Sequence, residues 1–191
     1  MKSLWLAPFV MLISGGVCAH DVGGAPKPAT DSATGMLVMQ ENTAQDDRAD
    51  PDHPEARAYD AAIDVDAALA DAFARARGNG TRVVVAMGAN WCHDSRAFAG
   101  WMEMPRFQQL LTAQFELVYI NVGMPQTDDG HNLHIAERHG ITVEGTPTIL
   151  ILDADGTLLN TDSAGRWRNA ASREENAIYE ELSSYATGTA G

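Results

Sequence analysis

A short apolar strand that leads directly towards a helix is the feature that most limits how this chain can fold. Residues 82–87 read RVVVAM, a run rich in β-branched side chains without polar alternation, and the run ends at Gly88. Such a run is typical of a strand that is buried on both faces of a sheet. A sheet covered on both faces needs helices above and below it, so this segment already favours an α/β fold.

Helical patterns flank this strand on both sides. Residues 65–77 have apolar side chains at helical spacing, with Asp64 as the expected N-cap and Gly78 as the expected end. Ser172 and Glu175 have the spacing of a capping box, which predicts a last helix reaching about residue 186. Shorter helices are predicted after the first strand and at residues 105–113 and 133–139.

Two further apolar runs complete the predicted sheet. Residues 115–122 and 148–152 predict core strands, and the turn at 153–156 predicts a hairpin with residues 157–160. Alternating helices and strands require parallel crossovers, whereas a terminal hairpin adds an antiparallel pair. The predicted fold class is therefore α/β, a three-layer sandwich with a mixed central sheet and helices on both faces.

The N-terminus has the pattern of a secretory signal peptide. Residues 1–19 carry a positive charge near the start, an apolar run at 4–13, and small residues before an expected cleavage point after Ala19. We therefore expect an exported, periplasmic protein, with lipidation at Cys18 as the alternative. The apolar run is shorter than the roughly 20 residues that cross a bilayer, so the mature protein is not expected to span the membrane.

A polar, acidic segment follows the expected cleavage point. Residues 20–56 contain no Phe, Trp or Tyr, four prolines, and eight acidic against two basic residues. This composition buries too little apolar surface to order the chain, so we expect a disordered tether and a folded domain over residues 57–187. The whole chain has a formal net charge of −13, which disfavours nucleic acid as a partner.

Cys92 is the candidate nucleophile. The chain has two cysteines, and cleavage after Ala19 leaves Cys92 without an intramolecular partner for a disulfide. If Cys92 lies at the start of the helix that is predicted after the first strand, the free amides and the helix dipole stabilise its thiolate. A protonated His93 adds to this effect, and the Asp94 carboxylate opposes it. The residues leave that balance open, although the context favours a reactive thiol over a buried, inert one.

The motif around Cys92 resembles the active site of the thioredoxin superfamily. A strand that ends in Gly-Ala-Asn-Trp-Cys-His-Asp-Ser is followed about fifty residues later by Gly-Thr-Pro-Thr and an apolar strand. The resemblance covers about residues 57–187 and is strongest to exported thioredoxin-like proteins of bacteria. It implies a thioredoxin-like sandwich, with Cys92 at a helix N-terminus and a cis Pro147 packed beside the sulfur.

Two residues depart from the pattern of that superfamily. Ser95 stands in place of the second cysteine of the usual Cys-x-x-Cys motif, and Ala86 stands where thioredoxins usually bury an acid. Without a second thiol, a mixed disulfide at Cys92 has no internal group to displace the substrate, and Ser95 is left at most with a hydrogen bond to the sulfur. We therefore predict an exported monothiol protein that acts in thiol–disulfide exchange, with its mixed disulfide resolved by an external thiol.

The expected partners are cysteine-containing exported proteins or small thiols, and no resident cofactor is expected beyond glutathione as a co-substrate. Cys92, Ser95, His93 and Pro147 form the predicted catalytic group. Trp91, Thr146 and Asp94 are the predicted substrate-binding residues: Trp91 shapes a docking surface, and the backbone at Thr146 faces a substrate strand.

Two other functions are compatible with the same residues. The first is a thioredoxin-fold module that binds peptides or proteins without turnover. The second is metal delivery, in which histidines join Cys92 and His93 as ligands. No pair of these histidines has the i, i+4 spacing of one helical face, so we predict no metal site. The histidines concerned are His131, His134 and His139.

Overall fold

The computed structural model describes residues 53–187. The expected signal peptide and most of the expected tether lie outside the described residues, as does Cys18. The helices are α1 (Val65–Asn79), α2 (His93–Glu103), α3 (Pro105–Gln114), α4 (His134–Glu137) and α5 (Glu175–Ser183). The strands are β1 (Arg82–Gly88), β2 (Phe115–Asn121), β3 (Gly123–Met124), β4 (Asp129–Gly130) and β5 (Thr148–Leu152). Two 3₁₀ helices cover Pro125–Thr127 and Arg166–Ser172.

The main sheet has the order β2-β1-β5, with β1 in the centre. β1 is parallel to β2, with Val84 opposite Leu117, and antiparallel to β5, with Val85 opposite Leu150. The sheet is therefore mixed, as the sequence predicts. β3 and β4 form a separate two-stranded ribbon next to the C-terminal end of β2.

Alternate residues of β1 and β5 supply two separate cores. Val84 and Ile149 face one core, which is closed by α2, α3, α5 and the 3₁₀ helix Arg166–Ser172. Val83 and Leu150 face the other core, which is closed by α1 and α4. Complete burial of such an aliphatic side chain contributes about 1.5–3 kcal/mol. The predicted α/β sandwich, with helices on both faces of a mixed sheet, is confirmed.

The start of α1 agrees with the capping pattern in the sequence, whereas its end does not. Asp64 caps α1 as predicted, since its side chain accepts a hydrogen bond from the Ala67 amide at 3.0 Å. Gly78 is not the end of α1, because the helix continues to Asn79 and stops at Gly80, whose φ of 69° suits glycine.

The capping box predicted for the last helix is wrong. Ser172 ends the preceding 3₁₀ helix, and its hydroxyl donates to the carbonyl of Asn169 at 3.1 Å. α5 instead begins at Glu175 after Glu174, which makes no side-chain cap hydrogen bond. Ser172 lies two positions before this N-cap, so its hydroxyl is not in the position from which a side chain accepts from the first amides of α5.

The second strand of the predicted hairpin does not form, and the Asn160 side chain makes hydrogen bonds to β5 in its place. The turn forms, with the Asp153 amide donating to the carbonyl of Thr157 at 3.0 Å, but beyond the turn one isolated bridge joins Leu158 to β5. Asn160 then uses its buried amide as a strand would use a peptide group. It accepts from the Ile151 amide and donates to the carbonyl of Ile149, both at 2.8 Å. The antiparallel pairing of the sheet therefore comes from β5 against β1.

The end of the expected tether packs against α2. The Ala56 amide donates to the carbonyl of Arg96 at 3.0 Å. The Pro54 backbone lies so close to Gly100 that a Cβ there would come within 2.4 Å of its carbonyl carbon. The packed part of the chain thus begins by residue 53, four residues before the predicted domain boundary. No helix within residues 53–187 has the length and apolar character needed to cross a membrane.

Candidate functional site

The sulfur of Cys92 lies at the N-terminus of α2. Cys92 is the N-cap, with extended backbone, and its carbonyl accepts a hydrogen bond from the Arg96 amide at 3.0 Å. The Cys92 side chain is half-buried and makes no capping hydrogen bond. The amides at the start of α2 are thus left without a side-chain cap, which favours negative charge at this position.

The Thr146–Pro147 segment faces the sulfur. β5 runs antiparallel to β1 with Met87 opposite Thr148, so the residues before β5 lie beside those after β1. The Cys92 thiol donates a hydrogen bond to the carbonyl oxygen of Thr146 at 3.2 Å, across 54 positions of the chain. The Thr146–Pro147 peptide is cis, the geometry that the resemblance implies.

Trp91 is a large, exposed side chain next to Cys92 in the chain. The side chain is 49% exposed, and its indole N–H donates to the carbonyl of Gly123 at 3.0 Å. Gly123 has a φ of 62°, and a Cβ there would lie 2.3 Å from the carbonyl oxygen of Asp129, so the turn requires glycine. The indole is thereby held at its polar edge and leaves apolar surface open to a partner.

Ser95 points into the protein. It is fully buried, and its hydroxyl oxygen accepts a hydrogen bond from the Ala89 amide at 3.4 Å. A Cβ added to Gly88 would lie 2.6 Å from the Tyr59 ring and 2.7 Å from the Ser95 oxygen, which shows how closely these groups pack. The hydrogen bonds found in residues 53–187 do not join Ser95 to Cys92, so the hydrogen bond that the sequence allowed is not made.

Tyr59 belongs to this environment, and the sequence pattern did not reveal it. Its backbone amide donates to the side-chain oxygen of Asn90 at 3.1 Å, and its carbonyl accepts from the Asn90 side-chain amide at 2.9 Å. Burial raises the pKa of the Tyr59 phenol well above its ordinary value of 10, and Tyr119 and Cys92 act in the same direction. Tyr59 therefore remains a neutral phenol. A single tyrosine near a domain boundary carries no local pattern that could have identified it.

His93 and Asp94, the first two residues of α2, contact different neighbours. His93 is exposed, and its Nε2 lies 3.1 Å from Oε1 of Glu55. Asp94 is half-buried, and its carboxylate accepts a hydrogen bond from the Ala171 amide at 2.9 Å. The sequence left open how strongly Asp94 opposes a thiolate. In the structure, a backbone dipole from the 3₁₀ helix partly compensates that carboxylate charge.

Arg96 and Glu55 form an ion pair that braces the loop before the sulfur. Nε of Arg96 donates to Oε2 of Glu55 at 2.9 Å. The same guanidinium donates to the carbonyls of Asn90 and Trp91 at 3.2 and 3.1 Å. The hydrogen bond from Arg96 is the main cause that lowers the pKa of Glu55 from 4.5, with burial acting against it. Glu55 stands within the expected tether, where no local pattern marked it.

The three histidines that the sequence raised as metal ligands do not form a ligand group with one another or with Cys92. Within residues 53–187, the His, Cys, Asp and Glu side chains that could jointly hold a metal ion are His53, Glu55 and His93. His93 alone was among the residues named from the sequence, because His53 and Glu55 lie about forty positions earlier in the chain.

Comparisons with known proteins found a matching family model and similar solved structures. A family model described as Thioredoxin-like matches residues 64–154. The crystal structure of a disulphide isomerase from Xylella fastidiosa Temecula1 is similar, with a TM-score of 0.61 and 26% sequence identity over 68% of this chain and 96% of that chain. A solution structure of a thioredoxin from Thermus thermophilus gives a TM-score of 0.41 and 21% identity over 60% and 81% of the two chains. No curated protein matches.

The fold and the matched region define the class of this protein: it contains a thioredoxin-like domain. The family match includes both Cys92 and the Thr146–Pro147 segment.

Proposed function

We propose that this protein is an exported monothiol protein that carries out thiol–disulfide exchange through a mixed disulfide at Cys92. The observation that carries the proposal is the environment of this sulfur: a half-buried thiol at the N-terminus of α2, 3.2 Å from the Thr146 carbonyl oxygen. Ser95 holds a buried hydroxyl where a second cysteine would stand. Cys92 is the one cysteine in residues 53–187, so the thiol that resolves the mixed disulfide must come from outside.

The reaction has two exchange steps. The Cys92 thiolate attacks one sulfur of a substrate disulfide, a Cys92–substrate disulfide forms, and the other substrate sulfur leaves as a thiolate. An external thiolate then attacks the substrate sulfur of this mixed disulfide and releases the Cys92 thiolate. The external thiol and the substrate end joined by a disulfide, so no net oxidant is consumed. When the second thiolate belongs to the substrate itself, the net result is isomerisation.

The residues around the sulfur have distinct parts in these steps. The amides at the start of α2 stabilise the Cys92 thiolate, both as it attacks and as it leaves. Trp91 offers exposed apolar surface to a substrate, whereas Thr146 is buried and its carbonyl accepts from the Cys92 thiol. His93 supplies positive charge beside the sulfur when it is protonated.

The similarity to a disulphide isomerase supports exchange chemistry of this general kind. Cysteine-containing exported proteins or small thiols are the proposed substrates, and glutathione is a proposed external thiol. Export to the periplasm rests on the pattern of residues 1–19, and a lipid anchor at Cys18 is its alternative. Both features lie outside the described residues.

Trapping of mixed disulfides tests the proposal. The exported chain is incubated with an unfolded, disulfide-containing protein, quenched in acid and separated without reductant. Adducts are expected for the natural protein, released by a reducing agent, and absent for Cys92→Ser. An unchanged yield of adducts from Cys92→Ser, or no adduct from the natural protein, overturns the proposal.

Restoring the second cysteine tests the monothiol mechanism. Ser95→Cys places a thiol one helical turn from Cys92, so it is expected to displace the substrate and shorten the lifetime of the mixed disulfide. The measurement is adduct decay after removal of all external thiols. If the adduct decays equally fast in the natural protein and in Ser95→Cys, the lack of a thiol at position 95 does not limit release of the substrate.

The exposed Trp91 favours a second candidate function, a module that binds peptides without turnover. Trp91 is 49% exposed, and tryptophan is enriched among the residues that carry the binding energy of protein interfaces. In this case a partner protein still co-purifies with Cys92→Ser, whereas Trp91→Ala loses it. Retention in both variants, or loss in Cys92→Ser alone, argues against this candidate.

A further inference from the structure

Three potential metal ligands converge beside the start of α2, on the side occupied by residues 53–55. The donor atoms of His53, Glu55 and His93 all lie within 4.8 Å of one another. Oε1 of Glu55 is shared between the two imidazoles, at 3.1 Å from Nε2 of His93 and 3.6 Å from Nε2 of His53. The imidazole rings of the two histidines pack edge to face, with centroids 4.7 Å apart.

His53 has a polar atom that the protein leaves unsatisfied. Its side chain is only 6% exposed, and its Nε2 is buried without a hydrogen bond in the described part of the chain. The nearest carboxylate oxygen, Oε1 of Glu55, lies at 3.6 Å, beyond normal hydrogen-bond length. A buried polar atom without a partner costs free energy and calls for an explanation. This nitrogen points towards the same space as the other two donors.

We propose that His53, Glu55 and His93 bind a divalent transition-metal ion of the zinc type. Two imidazole nitrogens and one carboxylate oxygen suit Zn²⁺ and related ions better than Mg²⁺ or Ca²⁺, which prefer oxygen ligands alone. Metal–ligand distances of 2.0–2.1 Å place neighbouring ligands of a tetrahedral ion about 3.3 Å apart. The two distances to Oε1 of Glu55 lie on either side of this value. The fourth position is open to water.

The surroundings of the cluster fit this role. His93 is 56% exposed and Glu55 is 26% exposed, so an ion can enter from solvent on their side. Arg96 binds the far oxygen of the carboxylate, Oε2, at 2.9 Å and thereby orients Oε1 towards the two histidines. The Arg96 guanidinium also lies 3.3 Å from Oε1 itself, and its charge opposes the ion. We therefore expect a weaker site than a four-ligand structural zinc centre.

Metal binding would fasten residues 53–55 to α2. His53 and Glu55 belong to the segment that precedes α1, and His93 is the first residue of α2. An ion that binds all three side chains in the folded state alone stabilises that state by mass action. The Cys92 sulfur is not one of the converging donors, so this site differs from metal delivery through the thiol.

Calorimetric titration of the exported chain with ZnCl₂ tests the site. One equivalent is expected to bind. His53→Ala and His93→Ala should each weaken binding by more than about tenfold, since even the outer partners of metal ligands contribute that much. His134→Ala removes an exposed histidine outside the cluster and should bind like the natural protein. His93→Ala changes an exposed side chain, so its result stands even where circular dichroism shows that His53→Ala is unfolded.

Cobalt substitution separates this site from one at the thiol. Co²⁺ bound to nitrogen and oxygen ligands shows visible d–d bands without a sulfur-to-cobalt charge-transfer band, and Cys92→Ala should retain the same spectrum. A charge-transfer band that disappears in Cys92→Ala overturns the proposal, because the ion then binds sulfur. Unchanged affinity in both His53→Ala and His93→Ala overturns it equally. The trapping experiment at Cys92 does not depend on either result.

Discussion

The N-termini of α1 and α2 have similar backbones and different caps. The N-cap residues Asp64 and Cys92 are both extended, with φ of −74° and −81°. The Asp64 carboxylate accepts a hydrogen bond from the Ala67 amide at 3.0 Å. Cys92 makes no such bond, and its thiol instead donates to the Thr146 carbonyl at 3.2 Å.

This difference separates a helix end that a carboxylate caps from one where a thiol stands and no side chain caps the helix. An aspartate N-cap stabilises a helix by about 1 kcal/mol relative to alanine. α2 lacks this contribution, so its first amides have no side-chain oxygen as a cap. Other contacts stabilise this region of the protein. Gly88, Ser95 and Tyr59 pack closely together, and Arg96 donates to two carbonyls of the loop before Cys92.

The largest change in unfolding free energy is expected for Gly88→Ala, with Gly78→Ala as its matched control. A Cβ at Gly88 would lie 2.6 Å from the Tyr59 ring, so Gly88→Ala should destabilise the protein by about 1–3 kcal/mol. A Cβ at Gly78 within α1 meets nothing within 4 Å, so Gly78→Ala should stabilise by about 0.4–1 kcal/mol. Urea denaturation of both variants measures the two values. Equal changes in unfolding free energy would show that the groups around Gly88 leave room for a methyl group.

Removing the cap of α1 should have a smaller effect. Asp64→Ala loses the hydrogen bond to the Ala67 amide and is expected to cost about 1 kcal/mol of unfolding free energy. Asp64→Asn keeps an accepting oxygen and should stay close to the natural protein. Cys92→Ser adds a capping hydroxyl to α2, so it should not lower stability although it abolishes adducts. A loss on Cys92→Ser as large as that on Asp64→Ala contradicts the comparison.

Neutralising the acid in the first turn of α2 should change the rate of sulfur chemistry. Asp94→Asn keeps an oxygen that accepts from the Ala171 amide and removes a negative charge near Cys92. Iodoacetamide should therefore alkylate Cys92 faster, by a few-fold, at neutral pH and low salt, and the gain should shrink at high salt. An unchanged or slower rate would mean that the Ala171 amide already cancels the effect of this carboxylate.

The smallest effect is expected at Asp153, which caps a turn as Asp64 caps a helix. Its carboxylate accepts from the amides of Thr157 and Asp155 at 2.8 and 3.0 Å, and the Thr157 bond is the main cause that lowers its pKa below 3.8. A lowered pKa stabilises the fold above the unfolded value and loses this contribution as pH falls through the folded value. Asp153→Asn should therefore flatten the stability profile below pH 3.8. Parallel profiles for the two proteins would contradict this assignment.

Much of the fold follows from local patterns. The β-branched run of β1 and the capped, periodic segment of α1 were predicted from neighbouring residues alone, because strand burial and helix capping depend on short-range spacing. The errors also have local causes. The Ser172 hydroxyl had two possible partners in adjacent turns, and the Asn160 side chain took the place of a strand. Sequence spacing does not distinguish such competing hydrogen bonds.

The candidate site was predictable in part. The resemblance to the thioredoxin superfamily implied that Cys92 stands at a helix start, and Cys92 is the N-cap of α2. Glu55 and Tyr59 could not be predicted, because they reach the site from before α1 and form contacts across 41 and 31 positions. Composition assigned His53 to a tether, although only 8% of its surface is exposed in the structure.

The sequence by itself determined the layered fold and the single thiol at the start of α2, since both are written in contiguous segments. Tertiary structure decided what surrounds the thiol. The Thr146 carbonyl on the sulfur and the Ala171 amide on the Asp94 carboxylate join residues 54 and 77 positions apart. Contacts of this range depend on how β5 and the 3₁₀ helix Arg166–Ser172 pack against β1 and α2, which no local spacing encodes.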